Sequence, residues 1–271
     1  MTLAPSTRHH AEQPIPLAIL FEDEHLLAID KQAGLVVHPC YKHPDGSLFN
    51  ALLWHFRGTG VRPHLLQRLD KDTTGVMLVS KTPMAHARIV RAMGIQPPAG
   101  LKKEYLAVVR GTPTPPSGEI ALRLLRDPSD TRRVLASDTE GKESLTRYAT
   151  VGTSRSREWA LVRCEPATGR MHQLRVHLAA RGWPIAGDAV YGHDAGTPAG
   201  EAPEPPACAR QALHAWRVSF AHPVTRVPLT IVAPLPGDMQ ALLSRCGIDT
   251  PVPWNAPTSR NCSSRPPRRA W

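Results

Sequence analysis

Hydrophobic positions along this chain fall in short continuous runs and in period-two alternations, both of strand length. Apolar runs at 17–21 and 26–29 are separated by Glu22-Asp23-Glu24-His25, which predicts an antiparallel hairpin. Residues 31–39 read as a turn at Gly34 and a short strand that Pro39 ends. Ser47 caps a predicted helix over 48–56, with Leu48, Leu52 and Phe56 on one face. A loop at 58–63 delivers the chain to the stretch 65–81. There, a bounded apolar run at 76–79 reads as a buried strand, and Arg68, Leu69 and Asp70 stand just before the turn that feeds it. A charged pair in that place is either a salt bridge closing a turn or a group held by scaffold within reach of a cleft. The pattern alone leaves both open.

The rest of the chain continues in the same style. Thr82-Pro83 starts a helix over 83–93 that ends at Gly94, and a loop covers 95–100. Residues 103–109 alternate as a strand closed by Gly111, and the Pro-rich 112–118 is a surface loop. Two short strands with an exposed connection are expected in 119–142, and further strands at 144–151 and 158–164. Leu174 and Leu178 lie one turn apart before Gly182, predicting a helix over 171–181. A turn-rich polar motif at 187–192 precedes an aperiodic, flexible insertion at 193–207. Strands at 213–220 and 227–232 and a helix at 237–246 complete the pattern. About ten short strands with three or four helices between them predict an α+β fold with a mixed, mostly antiparallel sheet. The expected organisation is a loose leader over 1–14, one domain over 15–250 and a disordered Pro/Arg-rich tail over 251–271.

Composition sharpens this picture in two respects. Lys and Arg number 33 against 23 Asp and Glu, a net charge of +10. The tail contributes Arg260, Arg265, Arg268 and Arg269 and no acid; removing those four charges from +10 leaves +6, so the body is basic as well. A basic body favours a polyanion, most simply nucleic acid. The five cysteines, Cys40, Cys164, Cys208, Cys246 and Cys262, form no Cys-x-x-Cys pair and no disulfide framework. With no apolar signal segment and no run near membrane-spanning length, the expectation is a cytoplasmic protein with no membrane partner.

Several chemistries lack their motifs. There is no phosphate-binding Gly-x-x-x-x-Gly-Lys-Ser/Thr and no Gly-x-Ser-x-Gly elbow, and His172 and His177 are five apart, which does not put both on one helix face to hold a metal. What remains is a set of Arg, Asp, Tyr, Gln and His side chains in three segments, 67–74, 102–111 and 168–178.

These segments carry a resemblance. Gln67-Arg68-Leu69-Asp70-Lys71-Asp72-Thr73-Thr74-Gly75 resembles the His-Arg-Leu-Asp-x-x-Thr-Ser-Gly motif of the RluA-type pseudouridine synthases. Lys31-Gln32-Ala33-Gly34 through His38-Pro39 is similar to that family's Lys-Pro-x-Gly-x-x-x-His-Pro. Lys103-Glu104-Tyr105 through Gly111 matches Lys-x-Tyr-x-Ala-x-Val-x-Gly, and Thr168-Gly169-Arg170-Met171-His172-Gln173-Leu174-Arg175-Val176-His177 matches Thr-Gly-Arg-x-His-Gln-x-Arg-x-His. Gly187-Asp188 to Tyr191-Gly192 matches the motif that follows. Five motifs in order over 31–192 are far more specific than any one, and the resemblance extends to about residue 233.

The resemblance implies the pseudouridine synthase catalytic fold with a central cleft, and isomerisation of uridine to pseudouridine in structured RNA, ribosomal or transfer, without metal or organic cofactor. Asp70 aligns with the essential aspartate. It would attack uracil carbon 6 or the ribose anomeric carbon, or remove the ribose 2′ proton on a glycal route; these stay open. Arg175 aligns with the arginine that pairs with that aspartate, a role suited to a fixed, permanently charged fork. Tyr105 aligns with the tyrosine that stacks on uracil and relays the carbon 5 proton. Arg68 corresponds to the residue that fills the place of the flipped base, or else forms a structural ion pair. His172 and Gln173 enter as substrate-side residues that brace the segment; His38 and His177 read as structural. Gln67 and Thr74 depart from the usual His and Ser. The resemblance begins by about Leu17, so the chain looks like the short members, which lack an N-terminal RNA-binding domain. RNA contacts are then expected from the body, through Arg132, Arg133, Arg155 and Arg157, and from the tail. A monomer with no obligate protein partner is expected. The alternatives are a catalytically idle RNA-binding protein on the same fold and an aspartate-dependent hydrolase using Asp72 or Asp188 as second carboxylate.

Overall fold

The computed structural model describes residues 11–39, 44–95, 100–130, 132–192 and 208–249. Most of the expected leader, the 193–207 insertion, the tail, Cys40 and Cys262 lie outside the described residues. Eleven strands form one sheet: β1 (Ile19–Glu22), β2 (Leu26–Lys31), β3 (His64–Leu65), β4 (Thr74–Ser80), β5 (Lys102–Arg110), β6 (Ser117–Arg126), β7 (Val134–Ser137), β8 (Lys142–Thr153), β9 (Trp159–Pro166), β10 (Leu213–Ala221) and β11 (Pro228–Val232). The spatial order is β1-β2-β4-β10-β5-β9-β8-β6-β7, with β3 on β4 and β11 on β10. Four helices, α1 (Leu48–His55), α2 (Pro83–Met93), α3 (Gln173–Ala180) and α4 (Gly237–Arg245), flank it. The architecture is the expected α+β one, and β4–β10 is the one parallel pairing among the described strands.

The sheet centre explains why 76–79 is apolar without alternation. All seven positions of β4 are buried. Val76 and Leu78 pack with Ala85 and Ile89 of α2, while Met77 and Val79 pack with Leu48 and Leu52 of α1. A strand covered on both faces has no polar side to show. Each such side chain contributes about 1.5–3 kcal/mol by leaving water, so the start of β4 is anchored by a strand buried on both faces.

Two expectations need correction. Residues 35–38 form no strand. The carbonyls of Val36 and Val37 instead accept the N–H groups of Leu48 and Phe49 at 2.8 and 3.1 Å, satisfying the first turn of α1 beside the Ser47 cap. The segment 119–142 holds the two expected strands, β6 and β7, but β6 is not short: it runs ten residues, because β8 pairs with it in register from Ser117↔Ala149 to Leu124↔Lys142.

Candidate active site

Asp70 ends the loop that leads into β4, at the parallel junction with β10. Thr73 N–H donates to the Asp70 carbonyl at 3.1 Å, closing a tight turn. Gly75, at φ +109°, lies so close to β10 that a Cβ would sit 2.2 Å from the Ala215 carbonyl oxygen. Only glycine fits there, which accounts for the glycine that ends the motif. The Asp70 side chain, 28% exposed, faces a cleft of about 850 Å³ lined also by Arg68, Lys103, Tyr105, Arg170, His172 and Arg175.

The structure brings Asp70 and Arg175 together across 105 residues: Arg175 Nη1 donates to Asp70 Oδ2 at 3.0 Å. The rest of the guanidinium is committed elsewhere. Nε and Nη2 donate to Asp188 Oδ2 and Oδ1 at 2.7 and 2.8 Å, a bidentate fork. Asp188 also accepts the N–H groups of Val190 and Tyr191, at 2.9 and 3.1 Å. Burial alone would raise the Asp188 carboxyl; its Arg175 and backbone hydrogen bonds outweigh that and hold it below its ordinary value. Burial opposes the charge on Arg175, yet Asp188 and Asp70 together push its pKa up. Asp188 therefore aims Arg175 and leaves Nη1 for Asp70. Its oxygens are fully engaged, which removes it as the second carboxylate of a hydrolase.

His172 adds a second arm. It precedes α3 in a left-handed conformation, φ 53°, which turns its ring toward the cleft. Val134 N–H donates to Tyr191 Oη at 2.8 Å, so the phenol hydrogen is available to His172 Nδ1, 2.9 Å away. In that tautomer the His172 proton sits on Nε2, 3.9 Å from Asp70 Oδ1. Burial holds the imidazole below its ordinary value despite the nearby Asp70 charge. Oδ1 of Asp70 thus has a polar neighbour but no direct hydrogen bond from it.

Tyr105 lines the same cleft from β5, and burial with the Asp70 charge pushes its phenol up, so it is neutral near pH 7. Arg68 is exposed at the rim with no hydrogen bond or ion pair among the described residues, so the alternative of a structural ion pair finds no partner among them. Gln173 is a brace. Its Oε1 accepts from Thr168 Oγ1 and Arg170 N–H at 2.8 and 3.0 Å, and its Nε2 donates to the Leu145 carbonyl and Thr146 Oγ1, both at 3.0 Å. All of its amide capacity is spent inside the protein, so it is misplaced as a direct substrate contact. His38 lies at the cleft edge, its ring 5.6 Å from that of Phe49. His177 is fully buried, 2.7 Å from Ser144 Oγ, and burial lowers it to about 4. Arg155 and Arg157 sit in the turn before β9, at the opposite end of that strand from Pro166, which lines the cleft. Arg132 is forked onto Asp130. Arg170, exposed on the cleft wall, is better placed to meet a polyanion than those three.

Lys31 was legible only as a motif letter. It is 1% exposed, and its Nζ donates to the Lys71 and Gln32 carbonyls at 2.7 and 2.9 Å. Burial lowers its pKa to about 8. An uninterrupted lysine so near Gly34 carried no signal that it would fold under the Asp70 loop. Among the described residues, no group of His, Cys, Asp or Glu is arranged to hold a metal, and no helix is long and apolar enough to cross a membrane.

The family described as RNA pseudouridylate synthase has a model that matches residues 25–180, a span holding Asp70, Tyr105 and Arg175. The ribosomal large subunit pseudouridine synthase D of Xanthomonas campestris is 40% identical over 242 residues, covering 87% of this chain and 71% of that protein. The uncharacterized RNA pseudouridine synthase YjbO of Bacillus subtilis is 38% identical over 234 residues, covering 85% and 77%. Among solved structures, human RNA pseudouridylate synthase domain containing 4 superposes with a TM-score of 0.64 at 27% identity, covering 87% of this chain and 95% of that one.

Proposed function

Because this chain belongs to the RNA pseudouridylate synthase family, and is an isomerase that makes pseudouridine in RNA, we propose that Asp70 is the group that reacts with the target uridine. The observation that carries this is the Arg175–Asp70 contact of 3.0 Å at the cleft, with Arg175 aimed from behind by buried Asp188. Arg175 covers Oδ2 and leaves Oδ1 toward the cleft. An idle RNA-binding module has no use for an ionised carboxylate held this way.

The reaction breaks the bond between ribose C1′ and N1 and forms one between C1′ and C5; the C5 hydrogen leaves as a proton and N1 gains one. Attack on uracil C6, attack on C1′ and removal of the 2′ proton all call on the same carboxylate oxygen. The uridine must leave its stack to reach it. Arg68, exposed beside the aspartate and without a partner among the described residues, stands in for the departed base. The Tyr105 ring supplies a stacking face for uracil. Since its phenol is neutral in the free protein, it serves C5 as a relay, passing one proton on as it takes another. His172 steadies the Oδ1 side of Asp70, and Gln173 holds the loop that carries His172 and Arg170. Residues 15–250 act as the catalytic domain.

For the substrate we propose ribosomal RNA of the large subunit, on the strength of the relatives' names. The test is tritium release from uracil C5, run separately on unmodified ribosomal RNA and transfer RNA. Release from ribosomal RNA supports the assignment; release confined to transfer RNA overturns it.

A further inference from the structure

The Asp70 turn is tied down at each residue that follows Asp70, and most of the ties come from one distant segment. Arg210 Nη1 donates to the Asp72 carbonyl at 3.0 Å. Gln211 Nε2 donates to Thr73 Oγ1 at 3.3 Å. Thr74 Oγ1 lies 2.8 Å from His214 Nδ1, whose other nitrogen faces the Ala233 carbonyl at 3.3 Å. Gly75 then rests against Ala215. Only the Lys71 carbonyl is held from elsewhere, by Lys31.

Arg210 is the key of this stitch. It is 8% exposed as a residue, and its Nε and Nη2 fork onto Asp238 Oδ2 and Oδ1 at 2.7 and 2.9 Å, at the start of α4. The same guanidinium spans the carbonyls of Asp72, Gln211 and Leu213. A planar fork pinned by a carboxylate on one edge presents its other edge at a fixed place, which an ammonium does not do. Because Thr73 N–H closes the turn onto the Asp70 carbonyl, a shift of Asp72 or Thr73 moves Asp70.

We propose that Arg210, locked by Asp238 and assisted by Gln211, is a positioning residue that fixes the Asp70 carboxylate at its reacting distance. This rests on the proposed role of Asp70. It makes the last helix of the domain part of the catalytic apparatus although α4 does not line the cleft.

The experiment measures single-turnover tritium release, RNA affinity and thermal melts for full-length wild type, Asp70→Asn, Arg210→Lys, Asp238→Glu and Gln211→Leu. Misplacing a reacting group by about 1 Å costs on the order of 10²-fold, so Arg210→Lys is expected to lose roughly 10- to 100-fold in rate per folded molecule, with RNA affinity nearly unchanged. Asp238→Glu, on a side chain 49% exposed, lengthens the arm that pins the fork by one methylene and is expected to lose rate with RNA affinity nearly unchanged; a wild-type rate in it speaks against the proposal. Gln211→Leu, which takes one hydrogen bond from buried Thr73, is expected to lose rate per folded molecule with only a modest fall in the melt, and serves if Arg210→Lys fails to fold. Wild-type rates in folded Arg210→Lys or in Gln211→Leu overturn the proposal, as does a loss that appears only in RNA affinity. Tritium release that survives in Asp70→Asn overturns the role of Asp70 itself, a distinct result.

Discussion

Asp188→Asn probes the device behind the aspartate without touching the cleft. The carboxylate it alters is 0% exposed as a side chain, against 6% for Arg175. Breaking a buried pair by removing one partner costs about 3–5 kcal/mol. Asparagine keeps one carbonyl oxygen for Arg175 or for the Val190 and Tyr191 N–H groups, so the loss should fall near the lower end, about 3 kcal/mol. For a domain of this size each kcal/mol moves the melting point by about 2–4 °C, so a fall of roughly 6–12 °C is expected. The kinetic effect is separate. With its fork loosened, Arg175 is free to swing onto Asp70 with two N–H groups and cover both oxygens, or to turn away. Either displaces the reacting atoms, and the single-turnover rate should fall on the order of 10²-fold. RNA affinity should hold, since Asp188 is buried. The assay is tritium release at saturating enzyme, with filter binding and a thermal melt on the same preparation. A melt shifted as stated but a rate unchanged per folded molecule would refute the argument that Asp188 aims Arg175.

Other expectations follow from the same geometry. Arg68→Ala should leave stability within about 0.5 kcal/mol of wild type, because the side chain is exposed and without a partner among the described residues, yet slow turnover at least tenfold; equal rates would contradict its role at the vacated base. Gly75→Ala should be severely destabilised, its Cβ driven to 2.2 Å from the Ala215 carbonyl, whereas Gly58→Ala, with nothing within 4 Å, bears only its backbone strain; comparable melts of the two would contradict this. His177 and His214 are both lowered from 6.5 to about 4 in the fold. The unfolded chain then binds more protons between pH 6.5 and 4, so stability is full above 6.5 and falls as pH drops through that window, by at most about 3 kcal/mol per histidine. A melting point flat from pH 7 to 4.5 would overturn this, and His177→Gln should shallow the slope.

What the sequence showed and what it hid follow a physical divide. Periodicity located β4, β5, α2 and α4 within a residue or two, because their patterns are local. It misread 35–38, where Val36 and Val37 spend their carbonyls on a helix terminus, a pairing set by tertiary contact. The motif letters brought Asp70, Tyr105 and Arg175 to one cleft, but the pattern gave no means of telling a reacting residue from a brace. Gln173 and His172 stand side by side in one motif, yet the first is spent on the loop and the second faces Asp70. Arg210 and Asp238 belong to none of the five motifs, and Lys31 entered only as a motif letter. Burial of a charged side chain under a loop depends on partners 40 or more residues away, which local pattern does not encode.

On the proposed mechanism, Asp70 does the chemistry and contributes little to holding RNA. The direct test compares wild type with Asp70→Asn for tritium release and RNA affinity on the same ribosomal RNA. Release is expected to disappear in the variant while affinity stays within a few-fold. Continued release, or loss of release that merely tracks loss of RNA binding, would contradict it.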